Sequence, residues 1–133
     1  MVDGSGSIGS TNFDLVKWFL SQLVSRLDID SNATRVGLVV YASHVEFTFN
    51  LNTYSTVWSV QAAIASLRYP RGSTNTAAAL AYVRTHMLTA EAGDRGNVPN
   101  IVAVITDGQS NVPAATQVGR LLPAHCDSLC TAF

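Results

Sequence analysis

Hydrophobic positions along the chain fall into two kinds of run. Phe13, Val16, Leu20, Leu23, Val24 and Leu27 recur at helical spacing and predict an amphipathic helix of about 16 residues. Thr11 with Asp14 three positions on marks its start, a capping-box-like pair with Asp in place of the usual Glu. The polar stretch Asp28 to Asn32 closes it. Arg35 to Tyr41 is instead a nearly unbroken apolar run of strand length, as expected of a strand covered on both faces. Only Ala42 and Ser43 separate it from His44 to Phe49, where Val45, Phe47 and Phe49 alternate with polar residues. A parallel crossover needs roughly a dozen residues or more. The second strand must therefore return antiparallel as a hairpin, and its polar alternate face places it at a sheet edge.

A helix over Thr53 to Leu67 follows from Val57, Val60, Ile64 and Leu67, and Pro70-Arg71-Gly72-Ser73 reads as a loop. Leu80, Val83 and Met87 carry the next helix. After a polar loop from Glu91 to Pro99, Asn100 to Thr106 forms a second apolar strand that ends in Asp107-Gly108. Pro113 suits a first helical position, opening a short helix through Val118 to Leu122 that Pro123 must end. Leu129, Thr131 and Phe133 begin one more strand. Helices between apolar strands predict an α/β fold: an open, mostly parallel sheet with one antiparallel edge strand and helices on both faces. At 133 residues the chain is read as one domain, 1–133, burying roughly two-thirds of its unfolded surface.

Composition narrows the function. A charged share of 13% against 47% hydrophobic residues fits elements buried on more than one face. A net charge of -1 lacks the basic stripe of a nucleic-acid binder. The longest apolar runs, Val36 to Ala42 and Ile101 to Ile105, fall far short of the roughly 18 residues of a membrane span, so no membrane insertion is expected. The opening Met1-Val2-Asp3 carries no apolar targeting segment, so a secretory signal is expected outside these residues. Cys126 and Cys130 sit beside His125 and Asp127. A zinc site normally draws on two well-separated ligand pairs, so free thiols or half-cystines bonded elsewhere are the favoured readings. The single sequon Asn32-Ala33-Thr34 is compatible with a secreted loop. Trp18, Phe19 and Trp58 are assigned to the core or to helix packing.

Candidate chemistry begins at Asp3-Gly4-Ser5-Gly6-Ser7, which sets one carboxylate and two hydroxyls at alternate positions on a glycine-loosened turn. Oxygen-only donors suit a hard divalent cation such as Mg2+. The same stretch also reads Gly4-x-Gly6-x-x-Gly9, the dinucleotide spacing. Two further donors decide between them: Thr74, before a predicted helix, and Asp107, at the carboxyl end of a buried strand, where open α/β sheets bind ligands. Each also has an ordinary role, Thr74 as an N-cap and Asp107 as the turn residue of Asp-Gly. Two carboxylates about 4 Å apart repel by roughly 4 kcal/mol at an effective dielectric of 20 and call for a cation between them. A dinucleotide would be repelled by Asp3, and the next strand ends Tyr41-Ala42-Ser43 without the acid such sites use. No G-x-S-x-G motif is present, and His44, His86 and His125 belong to no catalytic motif, so no enzymatic activity is expected.

Asp3-Gly-Ser-Gly-Ser7, Gly72-Ser-Thr74-Asn-Thr76 and Ile105-Thr-Asp107-Gly108, in that order, resemble the von Willebrand factor type A domain and its metal-ion-dependent adhesion site. The resemblance covers about residues 2 to 122. It implies that Asp3, Ser5, Ser7, Thr74 and Asp107 are metal ligands for Mg2+, or for Mn2+ or Ca2+. It also implies an extracellular adhesion or matrix module whose protein partner offers an Asp or Glu to the metal. The alternative is a structural module that binds partners through metal-independent surfaces. No extra helix of the kind found in collagen-binding integrin domains is evident, so the matrix type is the closer likeness. Two departures from the family pattern are expected to matter. Only Met1 and Val2 precede Asp3 where a central strand belongs, and Ala124 to Phe133 stand where the last elements should be. A partial domain is therefore expected, with an open core and exposed strand edges that favour aggregation.

Overall fold

Two residues at the start of the chain form the middle of the sheet. In the computed structural model, which describes residues 1–108, 110 and 111 together with the backbone of 126–132, β1 (Val2–Asp3) lies buried between β2 (Leu38–Tyr41) and β4 (Asn100–Ile105) and is parallel to both. Neighbouring backbone bonds lengthen the ladder: Met1 N donates to Ala103 O (2.6 Å), Ile105 N to Met1 O (3.0 Å) and Gly4 N to Tyr41 O (2.7 Å). β3 (Val45–Phe49) pairs antiparallel with β2 at one edge, and β5 (Cys126–Ala132) pairs parallel with β4 at the other. The order is β3-β2-β1-β4-β5. The hairpin, its edge position and the late strand are as the sequence predicts, and the central place of β1 is as the family resemblance implies.

Helices cover both faces. α1 (Ser10–Val24) and α2 (Val57–Ala65) pack on one face, where Val2, Leu38 and Val40 meet Phe13, Leu20, Val60 and Ile64. On the other face Val39, Tyr41, Val102 and Val104 meet Ala79 of α3 (Thr76–Tyr82) and Val83 and Met87 of the π-helical turn that continues it. β2 is thus covered on both sides, as its apolar run requires. Along β4, among the described residues, Val102 and Val104 are buried, while Ile101 is 71% exposed and Ala103 is exposed as well.

Helix starts differ from the pattern where local capping wins. Thr11 lies inside α1, whose N-cap is Gly9, and Asp14 pairs with Lys17 at 2.9 Å instead of closing a capping box. α2 begins at Val57, not Thr53, because Thr56 and Ser59 form a reciprocal capping box and Asp30 Oδ1 accepts from Val57 N (2.8 Å). Trp18, Phe19 and Trp58 are 65%, 46% and 78% exposed, and Leu15 and Leu23 are exposed as well, contrary to their assignment as core or packing residues. α1 carries two apolar stripes, and helical spacing alone does not say which one faces the sheet. The predicted helix from Pro113 to Leu122, and the side chains of His125, Cys126, Asp127 and Cys130, lie outside the described residues.

Candidate metal centre

The loops after β1 and β4 leave the carboxyl ends of adjacent parallel strands. The chain departs from β1 toward β2 on one side and reaches β4 on the other. This is a topological switch point, where open α/β sheets form a ligand crevice. Asp3, the last residue of β1, is 1% exposed, and Ser5 is equally buried. Asp3 Oδ1 accepts from Ser5 N (2.8 Å), an Asx-type turn, and its Oδ2 accepts from Thr106 Oγ1 (2.6 Å). A carboxylate has about four lone-pair sites, so each Asp3 oxygen retains acceptor capacity. Ser5 Oγ lies 3.1 Å from Ser7 Oγ, and Ser7 Oγ donates to Asp107 Oδ1 at 3.0 Å across 100 positions of chain.

A third loop, residues 70–75, is held against the first. Gly6 N donates to Gly72 O (2.8 Å), and Asn75 N donates to Ala42 O (2.9 Å) at the end of β2. Gly72 sits at φ 109°, and a Cβ there would stand 2.8 Å from Ser43 Oγ, so glycine meets both the backbone and the space requirement. Gly4 is constrained differently: a Cβ would stand 2.5 Å from Pro70 Cγ. The loop after β4 is tied to this third loop by Asn111 N to Thr74 O (2.9 Å) and Asn111 Nδ2 to Ser73 Oγ (2.8 Å).

Asp3 is therefore joined to Ser5 through the Ser5 backbone N–H, and Ser5, Ser7 and Asp107 are joined through their side chains, whereas Thr74 bonds none of these four among the described residues and its backbone O accepts from Asn111 N. Its hydroxyl makes no hydrogen bond among the described residues. The capping role open to Thr74 belongs to Asn75, whose Oδ1 accepts from Ala78 N (3.1 Å). The turn role open to Asp107 belongs to Thr106, whose Oγ1 accepts from Gly108 N (3.2 Å). Both candidate donors are thus relieved of the ordinary explanation for their presence.

Three supporting residues escape sequence reasoning. Tyr69 OH donates to Ser5 O (2.7 Å) and accepts from Gly9 N (3.0 Å), fixing the first loop from beneath. Thr106 orients Asp3, and its place beside Asp107 was the available signal. Tyr41 bonds Thr76 Oγ1 (3.3 Å) behind the site. Burial pushes the Tyr41 phenol above its ordinary value, and the negative charges of Asp3 and Asp107 add in the same direction against hydrogen bonding with Thr76 and Thr106.

The donor set fits a hard divalent cation. Two carboxylates and three hydroxyls supply oxygen only. Neither Asp3 nor Asp107 has an ion-pair partner among the described residues. No group of three or more His, Cys, Asp or Glu able to hold a metal occurs among those residues, so hydroxyls and water would have to complete a shell.

The von Willebrand factor type A domain matches residues 1–125. The chain belongs to this family. As a type A domain it is 42% identical over 113 residues to the collagen alpha-4(VI) chain of Mus musculus, covering 84% of this chain and 5% of that one. It is 38% identical over 110 residues to matrilin-1 of Homo sapiens, covering 83% and 22%. The chain thus spans under a quarter of the length of these relatives. They are extracellular matrix proteins and not enzymes, which bears out the matrix-type likeness and places this domain outside the cell. No helix among the described residues is long and apolar enough to cross a membrane. Among solved structures, proximal thread matrix protein 1 from the mussel byssus, with a zinc-occupied MIDAS motif, matches at TM-score 0.76 and 27% identity over 83% of this chain and 31% of that one. A second crystal form of that protein matches at TM-score 0.82 over 98% of this chain; at 22% identity it speaks for the fold alone.

Proposed function

We propose that this type A domain is an adhesion or matrix-interaction module that holds a divalent cation, Mg2+ in the first instance, through Asp3, Ser5, Ser7, Thr74 and Asp107. The cation would supply a positive centre able to accept an Asp or Glu carboxylate of a protein partner. The observation that carries the proposal is the Asp3–Ser5–Ser7–Asp107 chain, in which Ser7 bonds Asp107 at 3.0 Å and neither carboxylate meets a cationic side chain among the described residues. Two aspartates match the charge of a divalent ion, and the hydroxyls add donors without adding charge. An incoming carboxylate therefore meets a metal that carries no excess of negative charge to repel it, and can take a position otherwise filled by water. Asp3 is positioned by Thr106 and Ser5, and the loop by Tyr69. The zinc-occupied MIDAS of the byssus protein supports metal binding by a related fold, without bearing on which metal serves here.

Binding to immobilised matrix proteins in Mg2+, in EDTA, and after amidation of the partner's carboxylates tests this. Loss of binding under both treatments is expected; binding that survives both would favour the second reading, a module with metal-independent surfaces. One observation favours that rival: the exposed stripe of Leu15, Trp18, Phe19 and Leu23 along α1.

A further inference from the structure

We propose that Asn32 is a site of N-linked glycosylation, carried at the end of the domain opposite the candidate metal centre. Asn32-Ala33-Thr34 is an acceptor sequon without proline, in a domain that lies outside the cell. A sequon is informative only if the folded chain can carry a bulky, solvated group there. The loop between α1 and β2 meets that requirement. Asn32 and Ala33 are exposed, and Asn32 takes φ 62°, the left-handed turn conformation that Asn tolerates best among residues with a Cβ.

The asparagine is also presented by the correct atom. Its Oδ1 accepts from Arg35 Nε (3.0 Å), its backbone O accepts from Arg95 Nη1 (2.8 Å), and its N donates to Ile29 O (2.8 Å). The amide nitrogen Nδ2 makes no hydrogen bond among the described residues. Arg95 Nη2 further fixes the loop through Ala33 O (2.8 Å), and Thr34 N through Asp28 O (2.8 Å), while the Thr34 hydroxyl makes no hydrogen bond among the described residues. The group to be modified and the hydroxyl that defines the sequon are both spare, so a glycan displaces no contact. α1 separates this loop from the candidate centre: its 15 residues span roughly 22 Å at 1.5 Å per residue. The glycan would leave the metal-bearing end open and shield the far end of the sheet.

The step joins Asn32 Nδ2 to the anomeric carbon of an oligosaccharide carried on a polyisoprenyl diphosphate. The nitrogen–carbon bond forms as the carbon–oxygen bond to the diphosphate breaks. The diphosphate leaves with the electron pair, one amide proton passes to base, and nothing is oxidised or reduced.

Translation of the full chain behind a cleavable secretory leader, with microsomal membranes present, tests the assignment. One discrete mass increase is expected, removed by peptide:N-glycosidase, absent in Asn32→Gln and Thr34→Ala, and kept in Thr34→Ser. A chain protected inside the vesicles at unmodified mass would overturn the proposal, as would a glycan that persists in Asn32→Gln. Because this readout precedes folding, a second follows secretion from cultured cells. The secreted chain should carry the glycan; secretion of only the unmodified form, with the glycosylated form retained, would refute the claim that the folded loop accommodates it.

Discussion

Replacing Thr106 by Val isolates the device that orients the site. Thr106 Oγ1 donates to Asp3 Oδ2 at 2.6 Å, and Asp3 is 1% exposed, so no bulk water can take over the lost donor. Valine keeps the shape and the β preference and removes only the hydroxyl. Hydrogen bonds to charged groups contribute about 1.5–3 kcal/mol, with the upper end expected where a buried acceptor is left without its partner. Gly108 N loses its acceptor as well, an exposed contact worth about 0.5–1 kcal/mol. A destabilisation of about 2–4 kcal/mol follows. With a urea slope of about 2 kcal/mol/M, the middle of the range for small proteins, the unfolding midpoint should fall by roughly 1–2 M. The assay is urea unfolding in EDTA, so that no metal contributes. Thr106→Ser is the control: it retains the donor and should cost less than about 1 kcal/mol. Equal midpoints for Thr106→Val and the unchanged chain, or equal losses for Val and Ser, would refute the claim that this hydroxyl holds Asp3.

Further expectations follow from single contacts. Gly4→Ala sets a Cβ 2.5 Å from the ring of Pro70, and overpacking of this kind should cost about 1–3 kcal/mol in thermal unfolding. Tyr69→Phe removes the bridge from Ser5 O to Gly9 N while keeping the ring against Phe13 at 5.3 Å; a loss of about 1–2 kcal/mol is expected from denaturant titration. Asn75→Ala should lose about 1 kcal/mol of stability with its cap, whereas Thr74→Ala should stay within about 0.5 kcal/mol. The reverse order in EDTA would return the capping role to Thr74.

Sequence pattern reveals this fold where geometry leaves no alternative. Two residues cannot carry a parallel crossover, so Ala42 and Ser43 required the β2–β3 hairpin. The pattern is ambiguous where two solutions share one period. α1 has Phe13, Val16, Leu20 and Val24 on the sheet side and Leu15, Trp18, Phe19 and Leu23 outside, and both stripes fit a helical period. Boundaries moved where a side chain captured a free backbone N–H, as Ser59 with Thr56 did for α2 and Asn75 did for α3. At the site, Asp3, Ser5, Ser7, Thr74 and Asp107 were singled out by type and order, and the structure joins Asp3, Ser5, Ser7 and Asp107 by hydrogen bonds. Tyr69 and Thr106 were not, because their contribution depends on contacts spanning 64 and 103 positions of chain that no local pattern encodes.

The central claim is that Asp3 and Asp107 hold a cation together. Thermal unfolding with increasing Mg2+, for the unchanged chain and for Asp3→Ala and Asp107→Ala, tests it most directly. Asp107 is exposed, so its removal should leave the metal-free stability within about 1 kcal/mol. A ligand at one hundred times its dissociation constant adds about 2.7 kcal/mol, or roughly 5–15 °C for a domain of this size. The account predicts a saturable rise in Tm for the unchanged chain that EDTA reverses and that both variants lack. An equal rise in all three proteins, or none in the unchanged chain at millimolar Mg2+ or Mn2+, would contradict it.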